Sequence, residues 1–216
     1  MEAPLLHTIH GQRLWLSSQR SIFWEEQKAL IVSDVHFGKT GHFRKAGIAV
    51  PQAVYKEDLQ RLVSLLHYFN PQRLIVVGDF FHSHANIELN LFKRWREDFT
   101  TLQVELVKGN HDILKESWYR EVNIIVHQQD LLIAPFLFSH EHCQAPEGVY
   151  VFCGHVHPGI VISGLGKQSL RFPCFYFADN HCILPAFSKF TGAVDMGTKN
   201  ANSIYAIVEN ALLPLR

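Results

Sequence analysis

The hydrophobic positions of this chain fall into short continuous runs bounded by turn residues. Residues 29–32 (ALIV), 74–77 (LIVV), 104–107 (VELV), 136–138 (FLF) and 149–152 (VYVF) are the strongest of these. Runs of this length with β-branched members predict buried strands. Residues 13–16 (RLWL) and 22–24 (IFW) read as short strands before the first run, with turn chemistry from Gly11 and residues 17–21 (SSQRS). Helical spacing shows in two places. Pro51 opens a helix through about Tyr68, with Leu59, Leu62, Val63 and Leu66 as its apolar stripe and Asn70-Pro71 as its stop. Residues 87–99 form the second, with Leu91, Phe92, Trp95 and Phe99 on the buried face. Between the first strong strand and the first helix, residues 38–52 show no period and predict a long loop, a length that usually accompanies function.

From residue 121 the helical period is nearly absent, and short strand-like runs are divided by Gly, Pro, Asn or Asp. The first half therefore reads β-α-β-α-β and the second half mostly β. The expected architecture is α/β, with two packed sheets and helices outside the motif-bearing sheet. With no low-complexity linker and no internal repeat, 1–216 is expected to be a single domain.

Composition narrows the function classes. Hydrophobic residues at 47% and charged residues at 19% describe a globular chain, not a disordered one. Lys and Arg total 20 and so do Asp and Glu, so the overall charge gives no general attraction to nucleic acid and leaves only a local patch to supply one. The four cysteines, Cys143, Cys153, Cys174 and Cys182, form no C-x-x-C pair, which argues against a zinc ribbon. The opening residues MEAPLLHTIHG lack the basic and apolar regions of a signal peptide, and no apolar stretch reaches membrane-spanning length. A cytoplasmic protein with reduced thiols and no membrane partner is the expectation.

The chemistry sits where the strands stop. The first strong strand runs into Ser33-Asp34-Val35-His36, the second into Gly78-Asp79, and the third, after Lys108, into Gly109-Asn110-His111-Asp112. The fourth ends in Ser139-His140 and the fifth in Cys153-Gly154-His155-Val156-His157. Alternate residues of an extended segment share a face, so Asp34 and His36 are expected to point the same way. Ligands of open α/β sheets gather at the carboxyl ends of strands, and these endings describe one site. Asp34, His36, Asp79, Asn110, His140, His155 and His157 offer oxygen and imidazole but no thiolate, a set that accepts manganese, iron or zinc. Seven donors exceed a tetrahedral zinc site and suit two ions bridged by one carboxylate, for which Asp79, between the other strand ends, is the choice. His7, His10, His67, His127 and His181 read as ordinary core or surface histidines.

In order and spacing, the series DVH, GD, GNHD, SH and GHVH resembles the calcineurin-like metallophosphoesterases. That resemblance implies a four-layer α/β/β/α sandwich. It implies that Asp34, His36 and His157 hold one metal, that Asn110, His140 and His155 hold the other with Asp79 bridging, and that His111 is the catalytic histidine. Asp112, next to it in the chain, is expected to orient its ring.

Four further stretches are similar to the ligase-associated DNA damage response endonucleases, the PdeM family. They are residues 42–51 (HFRKAGIAVP), 78–83 (GDFFHS), 171–177 (RFPCFYF) and 184–192 (LPAFSKFTG). This resemblance implies a manganese-dependent nuclease or phosphodiesterase of DNA repair, with a DNA ligase, a helicase and an exonuclease as partners. His82 and Ser83 stand where the serine/threonine phosphatases of the superfamily carry Asp and Arg. The G-D-x-F-H pattern matches double-strand-break repair nucleases, in which the matching histidine helps position the DNA backbone.

Lys39, His42, Arg44 and Lys45 in the long loop suit a polyanionic substrate. A small-molecule phosphodiesterase or nucleotide pyrophosphatase uses the same scaffold, since fold does not fix substrate. A catalytically silent subunit docking onto a ligase or helicase is the third reading, against which the full ligand set weighs.

Overall fold

The computed structural model describes residues 2–38, 53–82, 87–144, 146–164, 166 and 168–215. Two sheets face each other. The first begins as an antiparallel meander, β1 (Leu5–Ile9), β2 (Gln12–Ser17) and β3 (Ser21–Trp24), and continues through β4 (Ala29–Ser33), β5 (Arg73–Val77), β6 (Gln103–Val107) and β7 (Ile124–His127). β4 to β7 are parallel, and the helices α1 (Ala53–Phe69), α2 (Ile87–Asp98) and α3 (Glu116–Glu121) lie between them in the chain.

The second sheet is built from β8 (Leu131–Ile133), β9 (Phe136–Ser139), β10 (Tyr150–Cys153), β11 (Pro158–Ser163), β12 (Ser169–Phe177), β13 (His181–Ile183), β14 (Val194–Asp195), β15 (Ser203–Val208) and β16 (Ala211–Pro214). Its order is β14-β11-β12-β13-β10-β9-β8, with β15 pairing β12 and β16. It is mixed: β9, β10 and β13 run parallel, and the rest of the pairing is antiparallel apart from β14 against β11.

Strand alternation divides the core. Leu30, Val32, Leu74, Val76, Val104 and Leu106 pack on Leu62, Leu65 and Leu66 of α1, Phe92 and Trp95 of α2 and Tyr119 of α3. The opposite faces, Ala29, Ile31, Ile75, Val77 and Val107, meet Phe136, Phe138, Tyr150, Phe152, Phe175 and Phe177 of the second sheet. These fully buried rings contribute about 1.5–3 kcal/mol each. Glu105, a charge inside the 104–107 strand run, is buried but answered by Arg73 at 2.6 Å and His127 at 3.0 Å.

The two-sheet α/β sandwich agrees with the sequence reading, with three differences of detail. The first sheet extends to β7, whereas the change of pattern at residue 121 assigns that run to the second half; β7 pairs in parallel with β6. The helix at α3 is too short to register as a period. On the outer face of the second sheet, Ala178, Met196 and Ala201 from connecting segments cover Cys174, Tyr176, Ile204 and Ala206, and no helix does so among the described residues. None of the described helices is long and apolar enough to cross a membrane.

Candidate metal centre

β4 stops at Ser33, and Asp34 and His36 follow it with φ of 51° and 53°. The two side chains do converge, but not as alternate residues of an extended strand, as the sequence pattern suggests. Two left-handed residues turn the backbone instead. Asp79, His155 and His157 share this conformation, at φ 50°, 64° and 54°. Left-handed backbone in non-glycine residues carries strain that surrounding bonds must hold. The bonds are present. The Asp34, His36 and Phe37 amides donate to Gly78, Asp79 and Phe80 carbonyls at 3.2, 2.8 and 2.9 Å, and the His82 amide donates back to Phe37 at 2.8 Å. The loops after β4 and β5 are thus zipped together beyond the end of the sheet.

Asp34 is fully buried. Its carboxylate accepts the Ser33 hydroxyl at 2.5 Å and the His155 amide at 3.1 Å, which ties the first sheet to the second. A Cβ on Gly154 would stand 1.9 Å from Ser33 Oγ and 2.6 Å from Asp34 Oδ2, so only glycine permits this approach. Gly78 has the same duty toward His140, whose Nδ1 lies 1.8 Å from where its Cβ would be.

Around this floor the donor atoms gather. Asp34, His36 and His157 offer ligand atoms within 4.8 Å of one another, and so do Asp34, Asp79 and His140. Asp79 turns one oxygen each way: Oδ2 is 3.9 Å from His36 Nε2 and Oδ1 is 3.6 Å from His140 Nε2. His140 Nε2 also lies 3.0 Å from Asn110 Oδ1 and 3.2 Å from His155 Nδ1. His157 Nε2 is 3.3 Å from Asp34 Oδ1.

The residues fit a divalent cation on physical grounds. Asp34 and Asp79 are buried carboxylates that share a donor group, and no Lys or Arg pairs with either among the described residues. Leaving such charges uncompensated away from water is costly. The thiols stand apart: burial pushes Cys153 and Cys174 up to about 12, as core residues.

His111 and His82 stand together at the rim. Their ring centroids are 4.4 Å apart, and both rings lie about 5.5 Å from that of His36. The His111 amide donates to Asp79 Oδ1 at 2.9 Å, which sets where its ring emerges. Asp112 does not orient that ring. Its Oδ1 accepts the Phe81 amide and its Oδ2 the Gly109 amide, both at 2.9 Å, so it clamps the loop after β6 to the loop after β5. Burial first, then the charge of Asp79, push its carboxyl up to about 7 against the pull of those amides. Lys39, His42, Arg44 and Lys45 lie outside the described residues.

Residues 184–192, singled out in the sequence only for a family likeness, form a strap behind Asp34 that sequence reasoning did not foresee. The Phe187 and Ser188 amides donate to Ser33 and Asp34 carbonyls at 2.7 and 3.2 Å. Arg61 of α1 holds the strap through the Phe187 carbonyl and ring and pairs with buried Asp58 at 2.9 Å. An Asp-Arg pair at i, i+3 within the apolar stripe of a helix was the available signal.

The model of the calcineurin-like phosphoesterase family matches residues 28–148, from the start of β4 past His140. The chain belongs to that family. It is a metallophosphoesterase. A solved structure similar to it over nearly its whole length is that of the nuclease MPE of Pseudomonas putida. The two are 32% identical, with a TM-score of 0.84, and the alignment covers 98% of this phosphoesterase and 100% of that chain. The phosphoesterase YfcE of E. coli is also similar, at 14% identity and a TM-score of 0.45, over 86% of this chain and 96% of that one. No curated protein matches in sequence.

Proposed function

We propose that this metallophosphoesterase is a nuclease that cleaves phosphodiester bonds of DNA with two divalent ions. The carrying observation is Asp79, buried between two groups of donors with one carboxylate oxygen toward each. On this reading Asp34, His36 and His157 hold one ion, Asn110, His140 and His155 the other, and Asp79 bridges. Mixed oxygen and imidazole donors accept manganese, zinc or iron, and the resemblance to the manganese-dependent PdeM family selects manganese among them. The likeness to a nuclease along the whole chain supports DNA as the substrate.

Bound ions would supply Lewis acidity at phosphorus and bring the pKa of water toward neutrality. The remaining work falls to the chain. His111, carried at the rim by its amide bond to Asp79, gives a proton from its ring to the departing sugar oxygen. His82, beside it, holds a backbone phosphate against that ring. The reading extends to a cytoplasmic repair setting with a DNA ligase, a helicase and an exonuclease as partners.

The test is a substrate panel: single-stranded and duplex DNA, cyclic dinucleotides and an aryl phosphodiester, each with manganese, zinc and magnesium. Metal-dependent cutting of DNA is expected, with manganese best. Turnover of the small diesters without DNA cleavage would favour a small-molecule phosphodiesterase, and inertness toward all of them an accessory subunit.

A further inference from the structure

Two stretches singled out in the sequence contribute no donor to the metal centre: 171–177 and 184–192. They meet in one place. A cleft of about 260 Å³ opens beside His157 and is lined by Arg20, Arg171, Pro173, Ala186, Thr191 and Gly192 among others. Its two guanidinium groups come from different sheets. Arg20 sits in the β2–β3 turn, and Arg171 on β12.

Both are held in place. Arg20 Nη1 donates to the Ala186 and Ser188 carbonyls at 3.1 and 2.6 Å, and its nearest counter-charge, Asp58, is shared with Arg61. Asp58 is thus not Arg20's alone, although Arg61 has Glu57 as a second counter-charge. The stem of Arg171 crosses Gly159, where a Cβ would come within 3.1 Å of its Cγ, and its Nη1 donates to the Ala193 carbonyl at 2.9 Å. No carboxylate of the described residues pairs with Arg171, which is exposed. Planar, fixed donors of this kind suit phosphate oxygens.

The opposite flank of the centre is different. A cleft beside Asn110 and His140 carries Lys108 against Asp130 and Glu141, a net negative lining. A lining of that sign offers a phosphate less than the guanidinium-lined cleft does.

We propose that the Arg20–Arg171 cleft is a subsite for a phosphate adjacent to the scissile one, so that the substrate is a polynucleotide and not an isolated diester. Its Pro158, Pro173 and Ala186 walls offer apolar surface to the intervening sugar. The inference rests on the nuclease reading above.

The experiment compares the metal-loaded wild type with Arg171→Ala, Arg171→Lys and Lys108→Ala. kcat/KM is measured for a single-stranded oligonucleotide about ten nucleotides long and for an aryl phosphodiester, across a salt series. Arg171→Ala should lose roughly tenfold on the oligonucleotide and much less on the aryl diester, with a salt slope shallower by about 0.7. Arg171→Lys, which keeps the charge but not the planar fork, should recover only part of that loss, and Lys108→Ala should stay within about twofold of wild type on both substrates. Equal losses on the two substrates, no loss at all, or a Lys108→Ala effect matching that of Arg171→Ala would overturn the subsite while leaving the nuclease reading intact. Failure of the wild type to cut the oligonucleotide would overturn the nuclease reading, and the subsite with it.

Discussion

Asp34 and Asp79 are 0% and 2% exposed, while Asn110 and His155, bound into the same cluster, stand open to solvent. The floor and the rim of this site are built differently. The floor comes from the loops after β4 and β5, cross-bonded by their own amides and locked to the second sheet through the His155 amide. The rim takes His155 and His157 from the second sheet, both imidazoles, with Asn110 and His111 from the first, while His140 of the second sheet is buried with the floor. The carboxylates are kept where packing can fix them, and the groups nearer water are amide and imidazole side chains. Floor substitutions should therefore cost structure and metal; at the rim, the proposed ligands Asn110, His155 and His157 should cost metal, and His111 should cost rate.

The sharpest break is Gly154→Ala. Its methyl group would collide with Ser33 Oγ and Asp34 Oδ2, and both are closed in. Activity should vanish, and melting should reveal a loss toward the upper end of about 1–3 kcal/mol. A variant with wild-type melting and activity would mean that the two sheets are not seamed at this point.

His111→Ala should leave metal content and stability near wild type and slow DNA cleavage by roughly 10²–10⁴-fold. An aryl diester, whose leaving group needs no proton, should suffer less. Equal slowing on both substrates would remove the leaving-group role.

Asp112→Ala tests the clamp beneath the rim. Two buried amides, of Gly109 and Phe81, would lose their acceptor, at about 1–3 kcal/mol each. Chemical denaturation should show this, and unchanged stability would return Asp112 to a ring-orienting role.

The smallest effect belongs far from the centre. His7 Nδ1 lies 2.9 Å from the Tyr205 hydroxyl and its ring packs on Phe177, tilted by 31° with centroids 4.1 Å apart. His7→Phe should cost no more than about 1.5 kcal/mol and leave turnover untouched, which activity and melting assays would check.

The sequence exposes most of the rim and little of what holds the floor. Strand runs and their terminal Asp, Asn and His residues are local features, so Asp34, His36, Asp79, His82, Asn110, His111, His140, His155 and His157 are all legible in the chain itself. The left-handed backbone of Asp34, His36, Asp79, His155 and His157 is not, because here it is held by bonds to segments remote in the chain. Asp112 reads from its neighbour in the chain as a partner of His111, whereas its partners are amides, one of them 31 residues away at Phe81. The strap at 184–192 depends on contacts with β4 and α1 that no periodicity carries. Glu105 is an anomaly in a strand run until the fold brings Arg73 and His127 beside it.

The account rests on Asp79 as a buried carboxylate shared between two ions, and elemental analysis of purified protein tests that most directly. Wild type should carry two equivalents of divalent metal, and Asp79→Ala one or none. Two equivalents retained in that variant would contradict the shared site.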